Sequence, residues 1–355
     1  MYDPKVESDK WCNIMYSNDD LNKAVENGIF NQKDVWRFRN FINKSQNSPS
    51  VDEEELKLIT SFNDVFVVSA CSLFIICTNW VVFSFLNYYS LLLTPLFSWF
   101  LAEFFVKKRK MALPGIVLLA FFTGGLFLSI LSILIGKKDN YDFHNISFSV
   151  VVAFIISTIG TYFHWRRFKV PITLAILVLA LVGTFISILF SIWPNLSEQI
   201  FMILIGCGFL TFVIAIYWDK SDLTRVSYRS DTAFWLHILS APLIIHPLFK
   251  LLGVFDKTEN SLITPLILFI FLVFVFISLV IDRRAFMVSS LIYVIYALSI
   301  YFESFGEGDL GIAMSGIIIG FSLIILSAFW NSTRVKIINH LPSSVKKMIP
   351  DYDNS

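Results

Sequence analysis

ISFSVVVAFIISTIGTYFHWRRFKVPITLAILVLALVGTFISILFSI, residues 146–192, holds two long apolar runs separated by a short basic turn. A helix rises about 1.5 Å per residue, so roughly 20 apolar residues cross hydrocarbon about 30 Å thick. Residues 146–164 and 170–192 each meet that length, and Trp165-Arg166-Arg167-Phe168-Lys169 between them carries three cations. The stretch reads as two membrane-crossing helices joined at a charged surface. A backbone buried in lipid must satisfy its own hydrogen bonds, which leaves helices as the structure for such runs.

The same pattern extends in both directions. Ten runs qualify, at about 65–86, 88–106, 112–135, 146–164, 170–192, 199–218, 232–252, 262–281, 286–302 and 310–330. Composition agrees, with 56% hydrophobic residues, 15% charged residues and mean hydropathy of +0.69, well outside the range of water-soluble domains. The fold class is therefore all-α, a polytopic integral membrane protein of about ten transmembrane helices. Residues 1–64 form a polar N-terminal helical region, 65–330 the transmembrane domain and 331–355 a C-terminal tail. The bilayer is the first partner implied. A net charge of +1 with cations confined to short turns offers no continuous patch for nucleic acid.

The turns alternate in charge. Those near residues 108, 166, 225, 283 and 334, including the tail, hold 16 Lys and Arg, whereas the intervening ones hold four. This positive-inside bias predicts that both termini are cytoplasmic, which requires an even number of spans. The basic turns recur every 50 to 60 residues, and LPGIV after the first echoes VPITL after the second, a hint of tandem helical hairpins.

The N-terminal region predicts two short helices. Asp19 or Asp20 starts the first, and Gly28 marks its end. Asn31 caps the second, which contains Val35, Trp36, Phe38, Arg39 and Ile42. Residues 43–50 read as a linker, and residues 51–60 as an acidic amphipathic lead-in to the membrane. The start methionine is followed by no apolar signal-like core.

Ionisable groups at membrane depth are functional candidates because burying them is costly. Glu103 ends the second span, and Lys107 four residues on supplies an i,i+4 partner. His164 abuts a basic turn and is expected at headgroup level. Asp64 reads as a helix cap. Asn79 is expected to bond a neighbouring helix. The seventh span is richer. Asp231 stands at its start, with Arg229 just before it. His237 lies about 9 Å deeper and His246 about 22 Å from the edge. Pro242 and Pro247 each lack an N–H and deprive Ile238 and Leu243 of helical partners. That predicts a broken helix of the kind that lines transporter pathways. His237 and His246 lie nine residues apart, nearly opposite around a helix, so one metal ion cannot use both. They are candidates for a solute pathway or pH sensing, or else for bonding the carbonyls that the prolines leave open. The preceding charges Asp219, Asp222, Arg225, Arg229 and Asp231 suit a gate, a phosphate patch or a solvated loop whose arginines set orientation.

Gly316 and Gly320 form a small-xxx-small face, and Gly124-Gly125 and Gly206-x-Gly208 permit close helix contact. The four cysteines, Cys12, Cys71, Cys77 and Cys207, have no metal-site spacing and read as free thiols. No catalytic constellation, cofactor motif or metal-ligand set is assembled by the sequence, and an enzyme is the weaker expectation.

The segments "AVENGIFNQKDV", "DEEELKLITSFNDVFV" and "RSDTAFWLHILSAPLIIHPLF" resemble those of uncharacterised multi-pass bacterial inner-membrane proteins, classified as membrane domains of unknown function. The resemblance implies a cell inner-membrane location and carries no activity. The expected function is a secondary transporter or permease for a small solute. The alternative is a scaffold or sensor that binds a cytoplasmic protein through the N-terminal region.

Overall fold

The computed structural model describes residues 18–45, 62–136, 143–222, 225, 227–254, 263–303 and 310–342. Every regular element among them is helical. The expected lead-in at 51–60 lies outside the described residues.

Helices α1 (Asn18–Glu26) and α2 (Gln32–Ser45) belong to a unit separate from the rest. Gly28 closes α1 with φ of +71°, and the N–H groups of Gly28 and Ile29 donate to the Val25 and Ala24 carbonyls at 3.0 and 2.9 Å. These are the two bonds of a Schellman cap, which needs a left-handed residue at that point. Asn31 precedes α2, and its carbonyl accepts from Asp34 and Val35.

Among its described residues the second unit holds eleven α-helices: α3 (Phe62–Leu86), α4 (Leu93–Ala102), α5 (Ala112–Ile135), α6 (Phe143–Phe168), α7 (Pro171–Ile192), α8 (Ile200–Lys220), α9 (Tyr228–Leu251), α10 (Ile263–Ile281), α11 (Ala285–Glu303), α12 (Leu310–Ala328) and α13 (Trp330–Asn339). Residues 112–135 match their expected span, and the other expected spans fall within a few residues of a helix. Among the described residues, eight helical runs are long and apolar enough to cross a membrane. The bent pair Ala313–Ala328 and Trp330–Asn339, at 70°, makes up to nine. The first run, Asn63–Lys108, has 46 residues, about 70 Å if straight. It does not stay straight, because a short 3-10 segment at Asn87–Leu92 turns it back and the rings of Phe74 and Phe97 meet at 5.2 Å.

The five basic segments lie at one end of this unit. Glu103 pairs with Arg167, Trp165 Nε1 donates to the Tyr228 hydroxyl, and Arg225 and Arg334 both pair with Asp282. These contacts link the five in chain order. Four of the turns also share a backbone device. Lys110, Lys169, Arg225 and Asp282 have φ of 52° to 55° and recur every 56 to 59 residues. A non-glycine residue in that conformation costs about 1–2 kcal/mol, so its recurrence strengthens the case for repeated hairpins more than the faint sequence echo does.

Helix α9 is the axle of the second half. Half of its most apolar stretch is buried, against 11–28% for the other spans. It packs on α7, α8 and α11. Gly208 of α8 lies so close that an added Cβ would sit 2.8 Å from Ile244 and 3.0 Å from the Leu243 backbone. Gly125 likewise admits Thr94 and Pro95. Gly206, Gly124, Gly316 and Gly320 meet nothing, so the expected packing face on α12 is open in this chain.

Candidate functional site

The prolines do not break α9 as expected. The helix runs from Tyr228 to Leu251 with Pro242 and Pro247 inside it. Neighbouring helices hold such a segment together in a membrane, and here the close packing of α8 against Leu243 does so. Ser240 Oγ donates to the His237 carbonyl at 3.1 Å, adding local support. Pro242 is exposed and Pro247 buried.

The two histidines occupy different surroundings, as their opposite placement around the helix requires. His246 is exposed on the bundle surface, and its Nδ1 lies 2.6 Å from the Tyr293 hydroxyl. His237 is fully buried. Its Nε2 lies 2.8 Å from Asp219 Oδ2, while Nδ1 makes no hydrogen bond and Phe212 stands edge-on at 5.6 Å. Because the carboxylate can only accept, Nε2 carries the proton in this pair.

Asp219 sits in the last turn of α8 and is the centre of a larger arrangement. Arg283 Nη2 donates to Asp219 Oδ1 at 2.7 Å and to Ser230 Oγ at 3.0 Å, and its Nε approaches Asp219 Oδ2 at 3.4 Å. Arg283 reaches inward because the left-handed Asp282 turns the chain just before it, with the Arg283 N–H bonded to the Ser278 carbonyl. A second acid-centred group abuts the first. Asp282 accepts from Arg225 at 2.7 Å and from Trp330 Nε1 at 2.8 Å, with Arg334 Nε 3.7 Å away. Arg225 also donates to the Ile281 and Asp282 carbonyls. Its burial, and next the charge of Arg283, lower its pKa, while Asp282 opposes the shift.

His237, Asp219, Arg283, Asp282 and Arg334 are each no more than 5% exposed. Together they tie α8, α9, the α10–α11 turn and α13 to one another. Burying charges this way costs several kcal/mol per ion, which close pairing and added hydrogen bonds must offset. The arrangement can bind or release a proton at the Asp219–His237 pair, and it can part only by exposing charges to water. Among the described residues no cluster of three or more His, Cys, Asp and Glu is placed to hold a metal ion.

The other expected residues are placed as follows. Arg229 and Asp231 are exposed at the start of α9 and lie outside the buried network. Asp222 accepts from the Ser227 N–H and hydroxyl at 2.8 and 2.6 Å, and so shapes the turn into α9. Glu103 takes a bidentate contact from Arg167 at 2.6 and 3.1 Å, with Lys107 farther at 3.9 Å. His164 is not at the surface. It is fully buried with neither ring nitrogen hydrogen-bonded, its ring 4.5–5.9 Å from Phe168, Phe122 and Trp99. Asn79 donates to its own helix at Ile75, not to a neighbour.

Arg225 was expected in a gate, a phosphate patch or a solvated loop, and Arg283 and Arg334 only as orienting charges; the burial of Arg283 and Arg334 and the near-burial of Arg225 were not foreseen. A signal existed. Glu103, Asp219 and Asp282 are acids at span ends on the basic side, and each pairs with an arginine from another turn. No protein-family model, characterised protein or solved structure matches this chain.

Proposed function

We propose that the chain is a secondary transporter or permease for a small solute, with the Asp219- and Asp282-centred network as the gate on its cytoplasmic side. The observation that carries this reading is the full burial of His237 against Asp219 and Arg283. A merely structural tie at a helix end can be made by exposed charges or apolar packing at less cost. Charges buried inside a membrane protein mark pathways and relays.

The topology under this proposal has ten spans. Counting the doubled-back run Asn63–Lys108 as two passes, and the bent pair as one, gives that number. Both termini are then cytoplasmic. Without Arg225, Arg283 and Arg334, the basic turns and tail still hold 13 Lys and Arg against four, so the positive-inside argument survives. The location is the inner, or plasma, membrane of a bacterium.

The test is uptake of an isotopically labelled mixture of small metabolites into proteoliposomes, read by mass spectrometry under an imposed pH gradient. At least one compound is expected to accumulate with the unaltered chain and to stay out with Arg283→Ala. His237→Ala is expected to remove the dependence of uptake on pH. No accumulation of any organic acid, amine, sugar or peptide in the mixture would overturn the reading.

A second reading has its own support. The N-terminal unit exposes Ile29, Phe30, Trp36 and Phe38, with Ile29 69% accessible, a surface suited to a cytoplasmic protein partner. If the chain is a scaffold or sensor, deleting residues 1–60 removes co-purifying proteins. An unchanged set rules it out.

A further inference from the structure

We propose that the Asp219–His237 pair is the proton site of this protein, and that Arg283 and a proton are alternative partners of the Asp219 carboxylate. Arg283 holds Asp219 when the gate is shut. A proton replaces Arg283 when the gate opens. The inference rests on the transporter reading and adds the coupling ion to it.

The geometry poses the competition directly. Both Asp219 oxygens are engaged, Oδ1 by Arg283 Nη2 at 2.7 Å and Oδ2 by His237 Nε2 at 2.8 Å and more loosely by Arg283 Nε at 3.4 Å. Arg283 is also anchored by Ser230 at the start of α9. Any movement of α9 away from the α10–α11 turn therefore pulls on the contact between Arg283 and Asp219. Asp219 and His237 lie on α8 and α9, which pack closely along Gly208, so they stay together while Arg283 leaves. A carboxylate that loses its guanidinium in a low-dielectric setting is left uncompensated, and taking up a proton removes the cost. His237 offers a second acceptor, since its Nδ1 is buried and makes no hydrogen bond. The proton belongs to the pair, whose members titrate together.

The charges around the pair come from every side of the site. Arg283 from the α10–α11 turn and Arg225 from the α8–α9 turn act on it directly; Asp282 of the α10–α11 turn and Arg334 of α13 act on Arg225, and Asp231 in the first turn of α9 lies in the fields of Arg283 and Asp222. Arginine keeps its charge throughout the working pH range, so none of the three can substitute for the carboxylate as proton carrier. The sign follows by linkage. The shut state, with Asp219 held by Arg283, binds fewer protons at the pair than the open state. Acid therefore shifts the population toward the open state.

The experiment uses the full chain in proteoliposomes, with the native cysteines replaced by serine and one reporter, Ser240→Cys. Ser240 is fully buried and lies one turn deeper than His237 on α9, so a charged methanethiosulfonate reaches it only when the gate parts. Because the thiolate is the reacting form and acid depletes it, every rate is divided by that of the same reagent at the same pH with a reference protein carrying Lys108→Cys, at an exposed position of the first basic turn. On that normalised scale labelling is expected to speed up by about tenfold between pH 8 and pH 5. Asp219→Asn, which mimics the protonated carboxyl, is expected to label fast at both pH values. Asp219→Glu should keep the pH response with a moved midpoint. Labelling of the parent that is equal at both pH values overturns the proposal whether or not the Asn variant folds, as does an Asn variant that keeps the parent's profile. Metabolite uptake with pH-independent labelling overturns the proton site and leaves the transporter. A pH response without any uptake overturns the transporter and leaves the proton site.

Discussion

Two buried histidines, His164 and His237, show what each half of the membrane unit is built for. His164 ends α6 in a cage of Trp99, Phe122 and Phe168 and makes no hydrogen bond through either nitrogen. His237 lies in α9 on a carboxylate that an arginine also grips. In the first half the charged pair Glu103–Arg167 stays at the surface, with side chains 30% and 47% accessible. In the second half the corresponding pairs, Asp219–Arg283 and Asp282–Arg225, are 4–11% accessible. The same residue types at the same end of the bundle therefore do different work. In the first half they close hairpins at the edge, and in the second they fill the interior with charge.

The difference is breakable by substitution. Arg283→Ala should have the largest effect, because it strands Asp219 in the interior. The expected loss is about 3–5 kcal/mol, read as a collapse of the melting temperature of the detergent-solubilised protein. A loss near zero would mean that water already reaches the site. Next come the histidines themselves. His237→Phe removes the donor to Asp219 and should cost about 1–3 kcal/mol. His164→Phe replaces an imidazole without hydrogen bonds by a ring suited to its aromatic cage, and should leave the melting temperature within a degree or two of the parent. If the two variants lose equally, the contrast between the halves fails. The smallest effect belongs to Glu103→Gln. An exposed pair contributes little and salt screens it, so its melting temperature should match the parent's, most closely at high ionic strength.

The spans were legible because length and apolarity act locally. Residues 112–135 need no partner to declare themselves a helix, and the basic turns could be counted without knowing what they touch. The doubled-back first hairpin was also readable, since Asn87 interrupts a run too long for one crossing. What escaped was set by distance along the chain. Asp219 meets Arg283, 64 positions later, and Trp330 reaches back 48 positions to Asp282. Periodicity and composition carry no information at that range. The prolines misled for a related reason. They specify which carbonyls lose a bond, but the packing of α8 against Leu243 decides whether the helix survives. His164 was placed at the headgroups from its neighbours Trp165 and Arg166, and only the fold reveals the three rings that enclose it.

The partners of Asp282 also impose an order in time. Arg225 is synthesised before it, whereas Trp330 and Arg334 follow some fifty residues later on the last described helix. While the chain is being inserted, Asp282 and Arg225 can meet as soon as α10 is in place, but α13 must emerge before the carboxylate gains its remaining donors. Assembly of the interior therefore finishes with α13. A chain shortened before Trp330 would insert nearly all its apolar helices yet lack the piece that seals the charges inside, which makes α13 the latch of biogenesis.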